Sequence, residues 1–360
     1  MRTPGWFYPS ERPAGASALL GSLRLASWCY GAGATVHQQV YARGIRRPRR
    51  LECRVISVGS PLVGGTAKTP MAAHVASILQ ADGHRVALAS RGYGVAGRSE
   101  VLVVSDGEGL RCTPALAGDE PLVLSAHAPG VPVLIARDRG LAGQRAISEF
   151  GTEVLVLDDG FGHHRLARDL EIVTLDGGMG LGSGFVLPRG PLREPLHGLR
   201  RADAVGVIDG PLSQADEARV GRLASGSFRF GAVRSARALS PCGGGPSVSP
   251  SWLTGKEVGM LCGIAHPAAF ERTLGHWGAQ VVARREFPDH HRYRAADLED
   301  LVEGPSVWVT TEKDAVKLSA DWLGRLDLRV LEIELESEAV FSTWLCEQVS
   351  GLSRGSARGR

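Results

Sequence analysis

The stretch VGSPLVGGTAKTP, Val58 to Pro70, constrains this chain more than any other. An apolar run, RVISVG (Arg54 to Gly59), reads as a buried strand, and helix-compatible sequence runs from Pro70 to Gly83. Between them lies a glycine-containing loop, Gly59, Ser60, Pro61, Leu62, Val63, Gly64, Gly65, Thr66, Ala67, Lys68 and Thr69. In that context backbone N–H groups cradle phosphate, a lysine reaches the β/γ oxygens, and a threonine hydroxyl ligates magnesium. Pro70 fits the first helical turn, where N–H groups lack partners anyway. The strict pattern puts glycine directly before the lysine, and this chain has Ala67. If that position takes a positive φ, the methyl group costs about 1 kcal/mol or more.

Short β-rich runs continue the pattern: RVALAS, VLVVS, VPVLIA, EVLVLDD and EIVTLD, with helical stretches such as Gly140 to Phe150 between them. Strands alternating with helices predict a mostly parallel sheet with right-handed crossovers. A Gly/Pro/Ser stretch, SPCGGGPSVSPS, then interrupts the chain, and KEVGMLCGI, AQVVARREF and SVWVTT rebuild a smaller α/β unit. The 360 residues exceed one average domain. The expected fold is therefore α/β, with a P-loop NTPase-type mostly parallel sheet, a second, smaller α/β domain and an N-terminal membrane-associated helix. Its expected parts are an apolar helix with basic exit (1–50), a phosphate-loop domain (51–230), a linker (231–251), the smaller domain (252–350) and a disordered tail (351–360).

The N-terminal expectation rests on the order of its parts. Ala14 to Val36 is mostly apolar or small, with Arg24 near its middle. An arginine near a bilayer centre costs at least about 2.5 kcal/mol, and a signal peptide would carry its basic residues first. Here Arg43, Arg46, Arg47, Arg49 and Arg50 follow the apolar segment. Leu19, Leu20, Leu23, Leu25 and Trp28 can share a helical face, which suits an interfacial helix followed by arginines at anionic headgroups. A soluble helix packed on the domain and a single spanning helix are the alternatives. The net charge of +3 does not point to nucleic acid, and the six scattered cysteines form no C-x-x-C pair. That usage fits a reducing compartment.

Two acidic pairs stand where chemistry could use them. Asp158 and Asp159 end an apolar strand, where doubly wound sheets bind ligands and a carboxylate can hold magnesium; DDG is also an ordinary turn. Asp119 and Glu120 in GDEP can start a helix or supply a general base. FPDHH puts His290 and His291 beside Asp289, and in TEKDAVKL Thr311 and Asp314 fit a variant capping box.

Taken together, VGSPLVGGTAKTP, SRGYG (Ser90 to Gly94), GDEP, DDGFGHH (Asp158 to His164), LPRGPLREP (Leu187 to Pro195), CGIAHPAAF (Cys262 to Phe270), FPDHH and TEKDAVKL (Thr311 to Leu318) resemble the tetraacyldisaccharide 4′-kinases of lipid A biosynthesis. They stand in that family's order and span most of the chain. The resemblance implies transfer of the ATP γ-phosphate to the 4′-hydroxyl of a lipid A disaccharide 1-phosphate, with ATP and Mg2+ as cofactors and no obligate protein partner. It assigns Lys68 and Thr69 to phosphate and magnesium, and Asp158, Asp159 and Glu120 to the metal's surroundings. Asp119 is the implied general base, paired with His290 or, alternatively, His291 when a cleft between the domains closes. Arg91, Arg139, His163 and Arg193, with Glu194 nearby, are implied near phosphates or the acceptor sugar. The implied location is a membrane surface, the cytoplasmic face of the inner membrane of a Gram-negative-type cell. Ala67 stands where the family has glycine, Ser60 where asparagine is usual, and Gly162 where glutamine is usual. The competing readings are a partner-driven ATPase or GTPase, the latter lacking an N-K-x-D motif, and a non-catalytic nucleotide or lipid binder.

Overall fold

The computed structural model describes residues 7, 17–92, 101–264, 267–324 and 326–352. Tyr93 and Gly94 of SRGYG, Ala265 and His266 of CGIAHPAAF, and the tail from 353 onward lie outside them. The fold is α/β, and the chain divides into two compact units. One contains the phosphate loop and takes the described residues through Val233 and again from Leu335; the other takes those of 234–334.

The phosphate-loop unit begins with α1 (Ser17–Ala42) and continues through β1 (Arg54–Gly59), α2 (Lys68–Ala81), β2 (Val86–Ser90) and β3 (Leu102–Ser105). It goes on with α3 (Pro114–Ala117), α4 (Asp119–His127), β4 (Val133–Ile135), α5 (Arg139–Phe150), β5 (Val154–Asp158) and β6 (Leu170–Asp176). Then come β7 (Ala204–Ile208), α6 (Gln214–Leu223) and the start of β8 (Phe228–Pro241). The strands lie in the order β8-β7-β6-β1-β5-β2-β4-β3. Their pairings are parallel apart from β3, which runs antiparallel to β4. β5 and β6 are buried at every position, which is why β5 reads as an apolar run rather than an alternating one.

α2 starts two residues earlier than the stretch from Pro70 suggests, at Lys68 itself. Met71, Ala72, Val75, Ala76 and Leu79 form its buried face. Gly83, at φ 87°, ends it by taking the left-handed conformation that closes helices.

The second unit holds the rest of β8, then β9 (Glu257–Cys262), α7 (Pro267–His276), β10 (Gln280–Glu286), α8 (Ala296–Glu299), β11 (Val307–Thr311), α9 (Glu312–Ala315) and most of β12 (Asp327–Ser337). β10, β9, β11 and β12 are parallel neighbours in that order, and Val258, Met260, Leu274, Val309 and Leu331 pack as a core.

Two sequence expectations are corrected by this arrangement. The stretch 231–251, read as a linker, stays in β8 as far as Pro241. The last helix, α10 (Ala339–Gly351), belongs to the phosphate-loop unit rather than to the smaller domain. Its Phe341 stacks on Phe230 at 3.9 Å and its Trp344 on Phe228 at 4.9 Å between ring centroids. Aromatic contacts between residues so far apart leave no periodic signal in the chain.

α1 inverts the usual pattern of a surface helix. Its inward contacts are made by small or polar residues. Ser27 Oγ donates to Val186 O at 2.7 Å, Gly31 sits against Val186, and Gln38 Oε1 lies 3.1 Å from His197 Nε2. Its large apolar residues point outward, with Leu25 71% and Trp28 72% exposed. Among the described residues no helix is long and apolar enough to cross a membrane.

Candidate active site

Strand register brings the two strongest motifs together. Val58, the last residue before the loop glycine, pairs with Asp158 across the parallel β1–β5 ladder. The phosphate loop and the acidic pair thus leave adjacent strands at the same end of the sheet, where such folds bind ligands. Phe161 packs so closely on Gly59 that a Cβ there would lie 2.7 Å from Phe161 Cβ and backbone N. Only glycine fits.

Ala67 is the N-cap of α2 and has φ 54°, ψ 29°. The position does take the left-handed conformation, so the methyl carries strain of about 1–2 kcal/mol. Lys68 Nζ donates to Gly64 O at 3.0 Å and to Thr66 Oγ1 at 3.2 Å. Burial lowers its pKa, against the opposing pull of Asp159. Ser60 Oγ accepts from Leu62 N at 3.3 Å and so holds the loop as a polar side chain should there.

Thr69 Oγ1 lies 3.3 Å from both oxygens of Asp158, and Ser90 Oγ donates to the same carboxylate at 3.2 Å. Burial, then the neighbouring charges of Asp159 and Glu120, push the Asp158 carboxyl up to about 6. Asp159 follows at φ 52°. Burial works to raise its carboxyl too, but Lys68 and Arg193 overcome that and hold it below the ordinary range. Arg193 Nη1 donates to Asp159 Oδ2 at 2.5 Å. Two adjacent carboxylates with pKa values driven apart are a mark of a functional site.

Arg139 opens α5 and is buried. Its Nη2 donates to Asp159 O and its Nη1 to His163 Nδ1, both at 3.3 Å. Burial, then the Arg139 charge, pushes His163 down to about 4. The imidazole is therefore neutral at pH 7 and carries its proton on Nε2. The Arg91 charge is felt at Arg139, and that of Glu120 at both Lys68 and Asp158. Asp119 is the first residue of α4, is buried, and accepts from Glu120 N at 3.0 Å.

Lys68, Thr69, Glu120, Asp158, Asp159, Arg91, Arg139, His163 and Arg193 thus form one polar, largely charged neighbourhood. Glu194 does not join it: its side chain turns inward, where Arg201 Nη2 donates to it at 2.7 Å. A side chain at Gly162 would meet open space.

In the second unit the two histidines separate cleanly. His291 Nε2 lies 3.1 Å from Asp297 Oδ2, and its ring stacks on Phe287 at 4.3 Å. His290 takes φ 60° and its side chain is 44% exposed, with Asp289 Oδ2 at 3.8 Å. His291 is fixed in place, and His290 is the one presented outward. Thr311 caps α9, accepting from Asp314 N at 3.3 Å and donating to Asp314 Oδ2 at 2.7 Å. Asp314 in turn accepts from Gly263 N and Lys317 Nζ, tying TEKDAVKL to CGIAHPAAF.

The residues missed from sequence are Ser90 as a partner of Asp158, and Arg168 and Arg201 behind the acidic turn. Ser90 stood in a quoted motif; the two arginines had no spacing signal.

Among the described residues, no group of three or more His, Cys, Asp or Glu side chains could hold a metal by itself. A magnesium ion that arrives with a nucleotide needs only one or two carboxylates, water and the phosphates. Thr69, Asp158, Asp159 and Glu120 supply oxygen donors of that hard kind, and they fit such an ion. The loop, with its close-packed Gly59 and its lysine, fits a triphosphate.

The family model of tetraacyldisaccharide-1-P 4′-kinase matches residues 19–350. A tetraacyldisaccharide 4′-kinase of Anaeromyxobacter dehalogenans (strain 2CP-1) is 42% identical over 345 residues, 91% of this chain and 89% of its own. That of Syntrophus aciditrophicus is 41% identical over 313 residues, 82% and 84% respectively. The crystal structure of "apo" form LpxK from Aquifex aeolicus in complex with ATP superposes with a TM-score of 0.76 at 30% identity, covering 92% of this chain and 98% of that one. The chain belongs to the tetraacyldisaccharide 4′-kinase family.

Proposed function

We propose that this chain is an ATP-dependent kinase that phosphorylates the 4′-hydroxyl of a tetraacyldisaccharide 1-phosphate in lipid A biosynthesis. The observation that carries the reading is the pairing of Lys68-Thr69 with Asp158-Asp159 at the same end of adjacent parallel strands, in a chain of this family. ATP would supply the phosphoryl group, and a magnesium ion bound with it would supply charge neutralisation at the phosphates.

The chain's own residues do the rest. Lys68 leaves its loop carbonyl and lies along the phosphates. Thr69, Asp158, Asp159 and Glu120 would hold the metal, as hard oxygen donors. Arg139 and Arg193, with Arg91, add positive charge where the transferred group carries negative charge. Asp119 accepts the proton of the attacking hydroxyl, and His290 is the histidine we assign to proton transfer. His163, neutral and with its Nε2 proton, is a donor for the acceptor sugar. Phosphoryl transfer asks for positioning and charge neutralisation above all.

The acyl chains of such an acceptor keep its hydroxyl at headgroup level, so the enzyme must work at a membrane surface. The outward Leu25 and Trp28 of α1 support that placement, as do the exposed Arg43, Arg46, Arg47, Arg49 and Arg50. We assign the protein to the cytoplasmic face of the inner membrane on this basis. The test is transfer of labelled phosphate from ATP, with magnesium, to detergent-dispersed tetraacyl disaccharide 1-phosphate. Product from the native chain, lost in Asp119→Ala, is expected. ATP hydrolysis without labelled lipid would refute the reading.

A further inference from the structure

Immediately after Asp159 the backbone is gripped from behind by two arginines. Arg168 Nη1 donates to Gly160 O at 3.3 Å and Phe161 O at 3.1 Å. Arg201, at the end of the short helix Leu196–Arg201, donates from Nη2 to Phe161 O at 3.4 Å, and its guanidinium lies 4.5 Å over the Phe161 ring. A buried carboxylate holds each arginine: Glu171 lies 3.1 Å from Arg168 and Glu194 lies 2.7 Å from Arg201. Gly198 makes this possible, because a Cβ there would collide with Glu194 Oε1.

Such a cluster is a poor source of stability. Buried ion pairs roughly break even against well-packed apolar residues. Here Arg201 Nε and Nη1 are buried without a hydrogen-bond partner. What the cluster does provide is position. Asp159 holds a left-handed conformation, which aspartate reaches at less cost than most residues and which its surroundings fix in place. The carbonyls of the next two residues are the atoms the arginines fix. Phe161, so held, is also the residue that packs on Gly59 at the start of the phosphate loop. Arg193 and Glu194 are neighbours in sequence and both reach the turn, Arg193 through Asp159 and Glu194 through Arg201.

We propose that Arg168 and Arg201 are positioning residues that set the acidic turn, and hence the magnesium-proximal carboxylates, against the phosphate loop. This rests on the reading of Asp158 and Asp159 as the metal's acids. Arg201→Lys keeps the charge but loses the planar guanidinium that lies over the Phe161 ring while its Nη2 reaches both Glu194 and Phe161 O.

The readout is the magnesium concentration that half-saturates binding of a fluorescent ATP analogue, followed beside thermal melting and in an Asp159→Asn background. We expect Arg201→Lys to raise that concentration about tenfold, as loss of an outer support of a metal ligand does. The effect should largely vanish in the Asp159→Asn background, since the two changes act on one turn. An unchanged magnesium titration with only a lower melting temperature would overturn the proposal, and so would full additivity with Asp159→Asn. If Arg201→Lys does not fold, Glu194→Gln, nearly identical in shape, carries the same test. Because binding is read without an acceptor, failure of the native chain to phosphorylate the disaccharide would count against the kinase reading alone.

Discussion

Asp158→Asn should make the nucleotide-free protein more stable at pH 8 while it disables transfer. Burial, then the charges of Asp159 and Glu120, raise this carboxyl from the ordinary 3.8 to about 6. The unfolded chain releases the proton near 3.8 and the folded chain near 6. Below about pH 4 both states are protonated and the site costs nothing. As pH rises through the window from about 4 to 6, the folded state alone keeps the proton and stability falls. Above that window the full penalty, about 3 kcal/mol, is present. Asparagine has nearly the same shape and never ionises, so it avoids the penalty. It weakens the hydrogen bonds from Thr69 and Ser90, at about 1 kcal/mol each. The net gain at pH 8 is then about 1 kcal/mol, and at pH 4 the variant is about 2 kcal/mol less stable than the native chain. Urea unfolding midpoints at the two pH values, without nucleotide or divalent ions, measure this. Transfer activity should fall about 100-fold or more. If the difference between variant and native chain is the same at pH 4 and pH 8, Asp158 is not the strained ionised group described here.

Ala67→Gly removes strain of about 1–2 kcal/mol, while the added freedom of the unfolded glycine takes back about 0.5–1 kcal/mol. Stability is expected to change by less than about 1 kcal/mol in thermal melts, and ATP affinity to rise no more than a few-fold; restoration of activity from nothing would show that alanine disables the loop. His290→Ala is expected to lower kcat by about 10–100-fold with an unchanged melting temperature. His291→Ala should instead lose about 1–2 kcal/mol of stability through Phe287 and Asp297; the reverse pattern would exchange their roles. Leu25→Asp with Trp28→Asp should abolish sedimentation with anionic vesicles yet leave the fold intact by circular dichroism, and undiminished binding would remove α1 from the membrane reading.

Local chemistry made the phosphate loop and the acidic pair legible, because each needs particular residue types at the end of an apolar strand. Even the strain at Ala67 follows from one missing glycine. What the sequence could not carry was contact between distant segments. Nothing in HGLRR marks Arg201 as the residue that reaches Phe161 O, and nothing in the C-terminal segment marks Phe341 as the stacking partner of Phe230. The choice between His290 and His291 was closed to it for a related reason. Adjacent identical residues differ only in backbone conformation and neighbours, and those came from Phe287, Asp297 and a φ of 60°. The inward turn of Glu194 likewise depends on the gap left by Gly198.

α1 lies against the site's own supports. Tyr30 donates its hydroxyl to Arg193 O at 2.9 Å, and Tyr41 and His37 rest on the ring of His164, whose Nε2 is 3.7 Å from Glu194. A chain begun at Arg43, the obvious route to a more tractable protein, would strip the roof from Arg193 and Glu194 as well as the apolar surface. Its loss of activity would say nothing about lipid. Conversely, α1 holds the backbone of the same residue whose guanidinium meets Asp159, so the helix and the acidic turn share one support.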